Sequence, residues 1–186
     1  MTYEDLTERS LLYVSASKPA LKVLLKEAEY ELTRDVDIVE NTATLAISNG
    51  KATIPADYKS MILITFEGNK LVPIAESDAY YNSDGTLPDG RPNGYFVRNN
   101  ELHFNTIPTG SVNISYNATV TQSASDTSPS IPEQYHKDLC YYAIALVGAK
   151  QEGIYDTFWS LWLNAIDRIK DQSADRELIH QVRRVI

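Results

Sequence analysis

Residues 44–54, TLAISNGKATI, mark the point where the pattern of the chain changes from helix to strand. Apolar and polar residues alternate on both sides of Asn49-Gly50, which is the period of a β-strand. Asn-Gly readily adopts the positive φ angles of a tight turn. The stretch therefore predicts a β-hairpin, and it belongs to a block of strands that extends to about residue 121.

The residues before this block have the period of amphipathic helices. Thr2 with Asp5 resembles a capping pair ahead of a first helix, and Ser17 followed by Pro19 marks the start of a second. The second helix has an apolar stripe made of Leu21, Leu24, Leu25, Ala28 and Leu32. These signals predict N-terminal helices within residues 1–40.

Two further turn signals, Gly68-Asn69 and Asn99-Asn100, divide the strand block. They predict a second and a third hairpin, separated by a loop rich in Gly, Pro, Asp and Asn with one helical turn at residues 77–81. The last strand carries one apolar face made of Val112, Ile114, Tyr116, Ala118 and Val120. The pattern predicts an antiparallel β-sandwich or barrel-like domain over residues 41–121.

Helical pattern resumes after a polar linker at residues 122–131, which has no apolar anchor in QSASDTSPS. Residues 132–172 predict two helices, with Asp156 as the cap of the second, and residues 173–186 predict a further helix or an extended arm. The fold class is therefore α+β. We expect a helical bundle, formed by the N-terminal helices and a C-terminal helical hairpin, with an inserted antiparallel β-domain.

Charge and composition exclude several classes of function. The net charge of −8 disfavours a general nucleic-acid binder, because an acidic surface repels phosphate. No apolar run approaches the 18 residues of a membrane span. Nucleotide-binding, hydrolase and metalloprotease motifs are absent from the sequence, so we expect no cofactor and no membrane partner.

Four reactive side chains lie close together in residues 131–150, IPEQYHKDLCYYAIALVGAK. Glu133, His136, Asp138 and Cys140 raise the alternatives of a catalytic dyad and a metal site. On a helix Asp138 points away from His136, so it cannot orient the imidazole. His136 and Cys140 supply two metal ligands where a closed zinc site needs four. We therefore expect no catalytic residue and no metal ligand, and the chain is predicted not to be an enzyme.

The second half of this helix, LCYYAIALVGA, carries no charge. A helix that is apolar all round must be covered on all sides. Either a neighbouring subunit completes the cover, which we favour, or this is the central core helix of one chain. The stripe that would make the contact consists of Tyr135, Leu139, Tyr142 and Leu146.

An alternative function is a non-enzymatic ligand-binding module. Aromatic side chains in the strand block offer a platform on which a glycan or another host-surface ligand would stack. The residues of this platform would be Tyr80, Tyr81, Tyr95 and Phe96.

Several short segments occur in an order that resembles a known family. They are TIPADY at residues 53–58, KLVPI at 70–74, NGYFV at 93–97, IPTG at 107–110 and IPEQYHKD at 131–138. In this order and spacing, over about residues 1–172, the chain resembles the head–tail adaptor, or connector, proteins of tailed bacteriophages.

The resemblance implies both the architecture and the role of the protein. Such proteins are helical bundles with an inserted β-domain, and they form a ring, commonly of twelve copies, beneath the portal of the filled head. The ring extends the channel through which the genomic DNA passes without specific binding, and it receives the tail, nozzle or stopper proteins. We expect a structural protein of the virion at the head–tail junction, assembled in the cytoplasm of the host bacterium.

The resemblance also implies that the C-terminal segment reaches into the portal. By position this arm is residues 173–186. Its docking residues would be Glu177, Leu178, Ile179, Val182, Arg183, Arg184, Val185 and Ile186.

Overall fold

A computed structural model describes residues 1–79, 81, 87–120, 123, 125–150 and 153–183 of the chain, with side chains described up to Ala174 except that of Lys150. The chain divides into two compact units. The helical unit combines residues 1–39 with the described residues from Thr119 onward, and the β unit consists of the described residues of Glu40–Ala118. The predicted class, α+β with the strands inserted between helices, is confirmed.

The described part of the helical unit contains four α-helices. They are α1 (Tyr3–Ser10), α2 (Lys18–Asp35), α3 (His136–Val147) and α4 (Ile154–Arg183), with short 3-10 turns at Glu133–Tyr135 and Gly148–Lys150. The two N-caps predicted for the N-terminal helices are confirmed. Thr2 and Asp5 form a reciprocal capping box at α1, and the Ser17 hydroxyl accepts a hydrogen bond from the N–H of Ala20 at α2, which satisfies donors that the first turn leaves free.

The four helices share one apolar core. The predicted stripe of α2 is buried at Leu21, Leu25, Ala28 and Leu32. These side chains pack against α1, where Leu6 is buried, and against α3, and α3 in turn packs against α4, so that all four helices contribute to one buried cluster. The inward face of α4 consists of Trp162, Ala165, Ile166 and Ile169.

A buried carboxylate ties three segments of this unit together. Glu29 on α2 accepts hydrogen bonds from the hydroxyl of Tyr3 on α1 and from the backbone N–H groups of Ser130 and Ile131. The side chain of Glu29 is almost fully buried. Burial, followed by the hydrogen bond to this carboxylate, raises the pKa of Tyr3 well above its ordinary value. Because its carboxylate accepts all three hydrogen bonds, Glu29 fixes the position of residues 130–131 against α2.

The connection before α3 is therefore anchored rather than free. The carbonyl of Thr127 accepts from the N–H of Tyr3 over 2.9 Å, and the carbonyl of Ser123 accepts from the ammonium of Lys26. Ile131 is buried in the helical core. The sequence predicted a linker at residues 122–131 with no apolar anchor in QSASDTSPS; the contacts of Ser123 and Thr127 are polar, and residues 122 and 124 lie outside the described residues.

The described part of the β unit contains two four-stranded sheets. The first sheet has the order β1-β8-β3-β4 and the second the order β2-β7-β6-β5. All described strand pairs are antiparallel except β5 with β6. The strands are β1 (Glu40–Ala46), β2 (Lys51–Thr53), β3 (Tyr58–Phe66), β4 (Asn69–Lys70), β5 (Val72–Pro73), β6 (Gly94–Arg98), β7 (Glu101–Phe104) and β8 (Ser111–Ala118).

The tight turn at Asn49-Gly50 is confirmed, with φ angles of 52° and 72°, but the hairpin that it was expected to close is wrong. β1 pairs with β8, and β2 pairs with β7 in the other sheet. One isolated bridge, Ser48 with Lys51, remains across the turn. The turn therefore connects the two sheets. β1 forms seven residue pairs with β8 and β2 forms three with β7, whereas only one bridge spans the turn.

Of the other two predicted hairpins, one has the expected turn and the other has its turn one residue earlier. The third hairpin is confirmed, with β6 paired to β7 across Asn99-Asn100. In the second hairpin the turn was expected at Gly68-Asn69 but lies at Glu67-Gly68, because Glu67 and Gly68 are the residues with positive φ angles. β4 pairs with β3 for only two residues, and the chain then crosses to the second sheet at β5.

The core of the β unit lies between its sheets. Its centre is the predicted apolar face of β8, Val112, Ile114 and Tyr116, all of which are buried. Ile64 lies opposite Ile114 on β3, and Leu102 and Phe104 are fully buried on β7. Val120 was expected on the same face but lies beyond β8, in the core of the helical unit. Its N–H donates to the hydroxyl of Thr33 on α2.

The helical turn expected in the long loop is a 3-10 turn at Glu76–Asp78. Tyr81 has no helical structure. Tyr80 and residues 82–86 lie outside the described residues.

We predict that Glu29→Ala destabilises the protein by about 3 kcal/mol, because the buried hydroxyl of Tyr3 and two backbone N–H groups lose their acceptor together. Glu29→Gln should reduce stability by less than Glu29→Ala does, since the amide oxygen of glutamine still accepts hydrogen bonds. Urea unfolding followed by circular dichroism measures both. Glu8→Gln, at an exposed carboxylate paired only with Lys18, is the matched control and should change stability by less than about 1 kcal/mol. Equal effects for Glu8→Gln and Glu29→Ala would contradict the role of Glu29.

Candidate functional site

The structure separates the reactive residues of α3 instead of joining them. The ring of His136 is buried, and its Nε2 lies 2.8 Å from the carbonyl oxygen of Ile131, to which it donates. The thiol of Cys140 is buried and lies 3.6 Å from the carbonyl oxygen of Leu6. No hydrogen bond joins these two side chains among the described residues. Each group instead satisfies the backbone of a neighbouring segment.

The electrostatics of Cys140 also disfavour nucleophilic chemistry. Burial raises the pKa of its thiol above the ordinary value. A thiolate, not a thiol, is the reactive form of cysteine. The side chain of Cys140 is therefore both inaccessible and protonated at neutral pH, and it acts as a small core residue.

Asp138 has a partner that sequence reasoning missed. Its Oδ2 accepts a hydrogen bond from Arg168 of α4 over 2.6 Å, while Oδ1 is buried without a hydrogen-bond partner among the described residues. Burial raises the pKa of Asp138 above its ordinary value, although the guanidinium of Arg168 opposes the shift. The pair links the start of α3 to α4 across thirty residues of chain.

The stripe expected to contact a neighbouring subunit is covered by the chain's own helices. Tyr135 and Leu139 are almost fully buried, Tyr142 is buried, and Leu146 is half-buried. α3 packs against α1, α2 and α4. The core interpretation accounts for this burial, so the uncharged half of α3 gives no reason to require a second chain. A subunit contact at these four residues stays a prediction.

Two tyrosines of this stripe place their hydroxyl groups at the edge of the core. Tyr135 donates to the side chain of Gln172 over 3.0 Å, and Tyr142 donates to Glu27 over 3.0 Å. Burial, with the hydrogen bond to Glu27, raises the pKa of Tyr142 to about 12. The ring of Tyr142 also packs against Trp162, with centroids 5.3 Å apart. These contacts hold α3 against α2 and α4.

The aromatic platform of the β unit is not formed as expected. Tyr95 and Phe96 are buried in and around β6, so they are not available to stack against a ligand. Tyr81 is exposed, and Tyr80 lies outside the described residues. A groove of about 320 Å³ does lie on the first sheet, lined by uncharged residues that include Thr42, Thr44, Asn113 and Ser115. It contains no aromatic side chain.

The C-terminal segment continues α4 through Arg183. The helix begins at Ile154, after Gly153 with φ of 81°, and not at a cap formed by Asp156. Of the two alternatives for residues 173–183, helix is confirmed and an extended arm is wrong. Glu177, Leu178, Ile179, Val182 and Arg183 lie within this helix, and their side chains lie outside the described part. Arg184, Val185 and Ile186 lie outside the described residues altogether.

The described contacts of α4 with the helical core extend to Gln172. Ile169 is the last fully buried residue among the described side chains of this helix, and Gln172 accepts the hydrogen bond from Tyr135. The helix then continues to Arg183, which is about 16 Å beyond Gln172 at about 1.5 Å per residue. Among the described side chains after Gln172, Ser173 is half-buried and Ala174 is exposed.

Within the described residues, no cluster of three or more His, Cys, Asp or Glu side chains has the arrangement of a metal site. No helix there is both long enough and apolar enough to cross a membrane.

The chain belongs to the SU10 adaptor protein family, whose model matches residues 1–184. It is therefore a phage structural adaptor protein, a component of the virion that associates with other head and tail proteins. No curated protein matches the sequence significantly.

We predict that Arg168→Ala destabilises the protein by about 2–3 kcal/mol at pH 7, because it leaves the carboxylate of Asp138 buried without its counter-charge. A carboxyl with a raised pKa in the fold keeps its proton where the unfolded chain has lost it. Its contribution to stability therefore grows as the pH falls through the raised pKa and shrinks as the pH rises. The defect should be smaller at pH 4–5 than at pH 7.

Urea unfolding at both pH values tests this prediction. Arg98→Ala is the matched control, because Arg98 forms an exposed salt bridge with Glu76. This substitution should change the free energy of unfolding by less than about 1 kcal/mol. Asp138→Asn combined with Arg168→Ala should remove the pH dependence of the defect. A defect that is the same at both pH values would contradict the prediction.

Proposed function

We propose that this adaptor forms an oligomeric ring that joins the portal of the DNA-filled capsid to the tail. The observation that carries the proposal is membership of a phage adaptor family over residues 1–184, together with the order of motifs that resembles head–tail adaptors. The resemblance gives a ring of twelve copies, with the portal above it and a tail, nozzle or stopper protein below it.

The charge of the chain supports a channel role. The net charge of −8 gives a surface that repels the DNA phosphates, so the genome would pass through the ring without being held. A protein with this charge that gripped DNA would need a concentrated basic surface, and the basic residues of this chain are outnumbered by its acidic ones, 17 to 25.

The C-terminal end of α4 supports a portal-docking role. The helix continues from Gln172 to Arg183. This segment holds most of the proposed docking residues, among them apolar Leu178, Ile179 and Val182 and basic Arg183. We expect this end of the helix to gain contacts in an assembly. The apolar residues would fill pockets of the portal, and Arg183 and Arg184 would pair with acidic portal residues.

We expect the purified protein to co-assemble with the portal protein of the same phage at micromolar concentration, and we expect deletion of residues 173–186 to abolish this. The deletion keeps Gln172, so the hydrogen bond from Tyr135 is preserved. Mass photometry of the mixture measures the number of copies bound to each portal.

The matched control replaces residues 173–186 by the same amino acids in scrambled order, which keeps their charge and composition. It should also fail to co-assemble, whereas thermal unfolding should show that the helical unit remains folded in both variants. Co-assembly of the deletion variant at the level of the wild type would overturn the docking role of the arm. Absence of co-assembly by the wild type would overturn the proposed function itself.

A further inference from the structure

Two exposed apolar surfaces of the helical unit have no partner in the described part of the chain. The first is on α2, where Val23 and Tyr30 are exposed, Val23 to 65%. The second is formed by Leu12 and Tyr13 after α1 with Leu161 on α4, and Leu12 is exposed to 78%. Side chains of this size are normally exposed singly rather than in groups, so each surface is a candidate for contact with another chain.

The α2 face, defined as Val23, Glu27 and Tyr30, points away from the core. These residues lie about half a turn around the helix from Leu21 and Leu25, which are fully buried. Glu27 is exposed between the two apolar residues. Its carboxylate accepts from Tyr142, but it forms no salt bridge with a described residue. Within the α2 face as defined, Glu27 is the one charged residue, and Arg34, further along the same side of the helix, is already ion-paired with Glu31 and Asp35.

The α1–α4 face, defined as Arg9, Leu12, Tyr13, Phe158 and Leu161, is one continuous surface. The ring of Tyr13 packs edge-on against Phe158, with centroids 5.3 Å apart. Leu161 follows Phe158 by one turn of α4, and the N–H of Leu12 donates to the carbonyl of Arg9. Arg9 is exposed and forms no salt bridge with a described residue. This face is apolar with one uncompensated positive charge.

The charges decide how two copies can use these faces. A two-fold contact of either face with itself would bring like charges together, Glu27 to Glu27 or Arg9 to Arg9, which is unfavourable. A contact of the α2 face with the α1–α4 face pairs opposite charges and covers apolar surface on both sides. A closed ring requires this kind of contact, in which each copy presents two different complementary surfaces.

We propose that the α2 face of one copy docks on the α1–α4 face of the next copy, with Glu27 opposite Arg9. This inference rests on the proposed ring and names the surfaces that build it. The contact uses no residue of the C-terminal arm, so ring contacts and portal contacts are carried by different parts of the helical unit.

A charge exchange between copies tests this contact. Glu27→Arg makes both faces of its chain positive, and Arg9→Glu makes both faces of its chain negative. Each variant alone should co-assemble with the portal at least about tenfold more weakly than the wild type, because like charges then meet in every contact. An equimolar mixture should recover assembly, because the two variants can alternate around a ring with an even number of copies. Mass photometry measures all of these samples.

Chemical cross-linking tests the same contact by position. Val23→Cys and Leu12→Cys place thiols on the two faces, while the natural Cys140 is buried. With a bis-maleimide of about 10 Å span added to assemblies on the portal, neither variant should cross-link to itself. A mixture of the two should give dimers, and the double variant should give a ladder. Lys170→Cys, at an exposed position outside both faces, replaces Leu12→Cys in the control mixture and should give no dimers.

The outcomes separate this inference from the proposed function. If the wild type co-assembles with the portal but both charge variants assemble equally well alone, the α2 and α1–α4 faces are not the ring contact, and the proposed function stands. Self-cross-linking of Val23→Cys alone would show a two-fold contact and overturn the inference. Thermal unfolding checks that each variant is folded, and Glu27→Gln, which keeps an acceptor for Tyr142, should weaken assembly by a smaller factor than Glu27→Arg.

Discussion

The helical unit depends on one buried carboxylate. Glu29 receives the hydroxyl of Tyr3 from α1 and two backbone N–H groups from the segment that leads into α3. An ionised carboxylate is unfavourable inside a protein unless donors surround it, so the fold that satisfies Glu29 is strongly preferred over one that does not. The position of α3 follows from this arrangement, because Ile131 immediately precedes the turn that starts α3. The covered stripe of α3, the pair of Asp138 with Arg168 and the placement of α4 follow in turn.

Local features of the fold could be predicted from the sequence, and long-range pairing could not. The caps at Thr2 and Ser17 and the turn at Asn49-Gly50 are decided by neighbouring residues, and the structure contains all three. The partners of β1 and β2 are decided by strands far along the chain, so the hairpin inferred from that turn was wrong. Val120 shows the same limit. It continues the alternation of β8, yet it lies in the core of the helical unit, and alternation alone cannot show where a strand ends.

The site residues divide in the same way. Helical geometry was sufficient to separate Asp138 from His136, but it could not reveal Arg168, because that partner lies on another helix. The uncharged half of α3 was expected to be covered either by a second chain or by the chain's own core; α1, α2 and α4 pack against it, and a subunit contact there stays a prediction. Val23 and Leu12 are exposed although they stand next to other apolar residues in the sequence, so composition does not distinguish them from core residues. Their grouping depends on the packing of Tyr13 against Phe158, which connects residues that are far apart in the sequence.

The pairing of β1 with β8 has a consequence for the order in which the chain folds. Glu40 lies opposite Asn117, so the two ends of the inserted unit are about 5 Å apart, one strand spacing. In the unfolded chain, Ile131 can reach Glu29 only if a loop that contains all of residues 40–118 closes. Closing this loop lowers the conformational entropy of the chain and therefore opposes the contact. Once the β unit has folded, that loop is already closed at its base and the two halves of the bundle are held beside each other. The inserted domain thereby turns long-range helix contacts into short-range ones, and a β unit that folds first accelerates the folding of the helical unit.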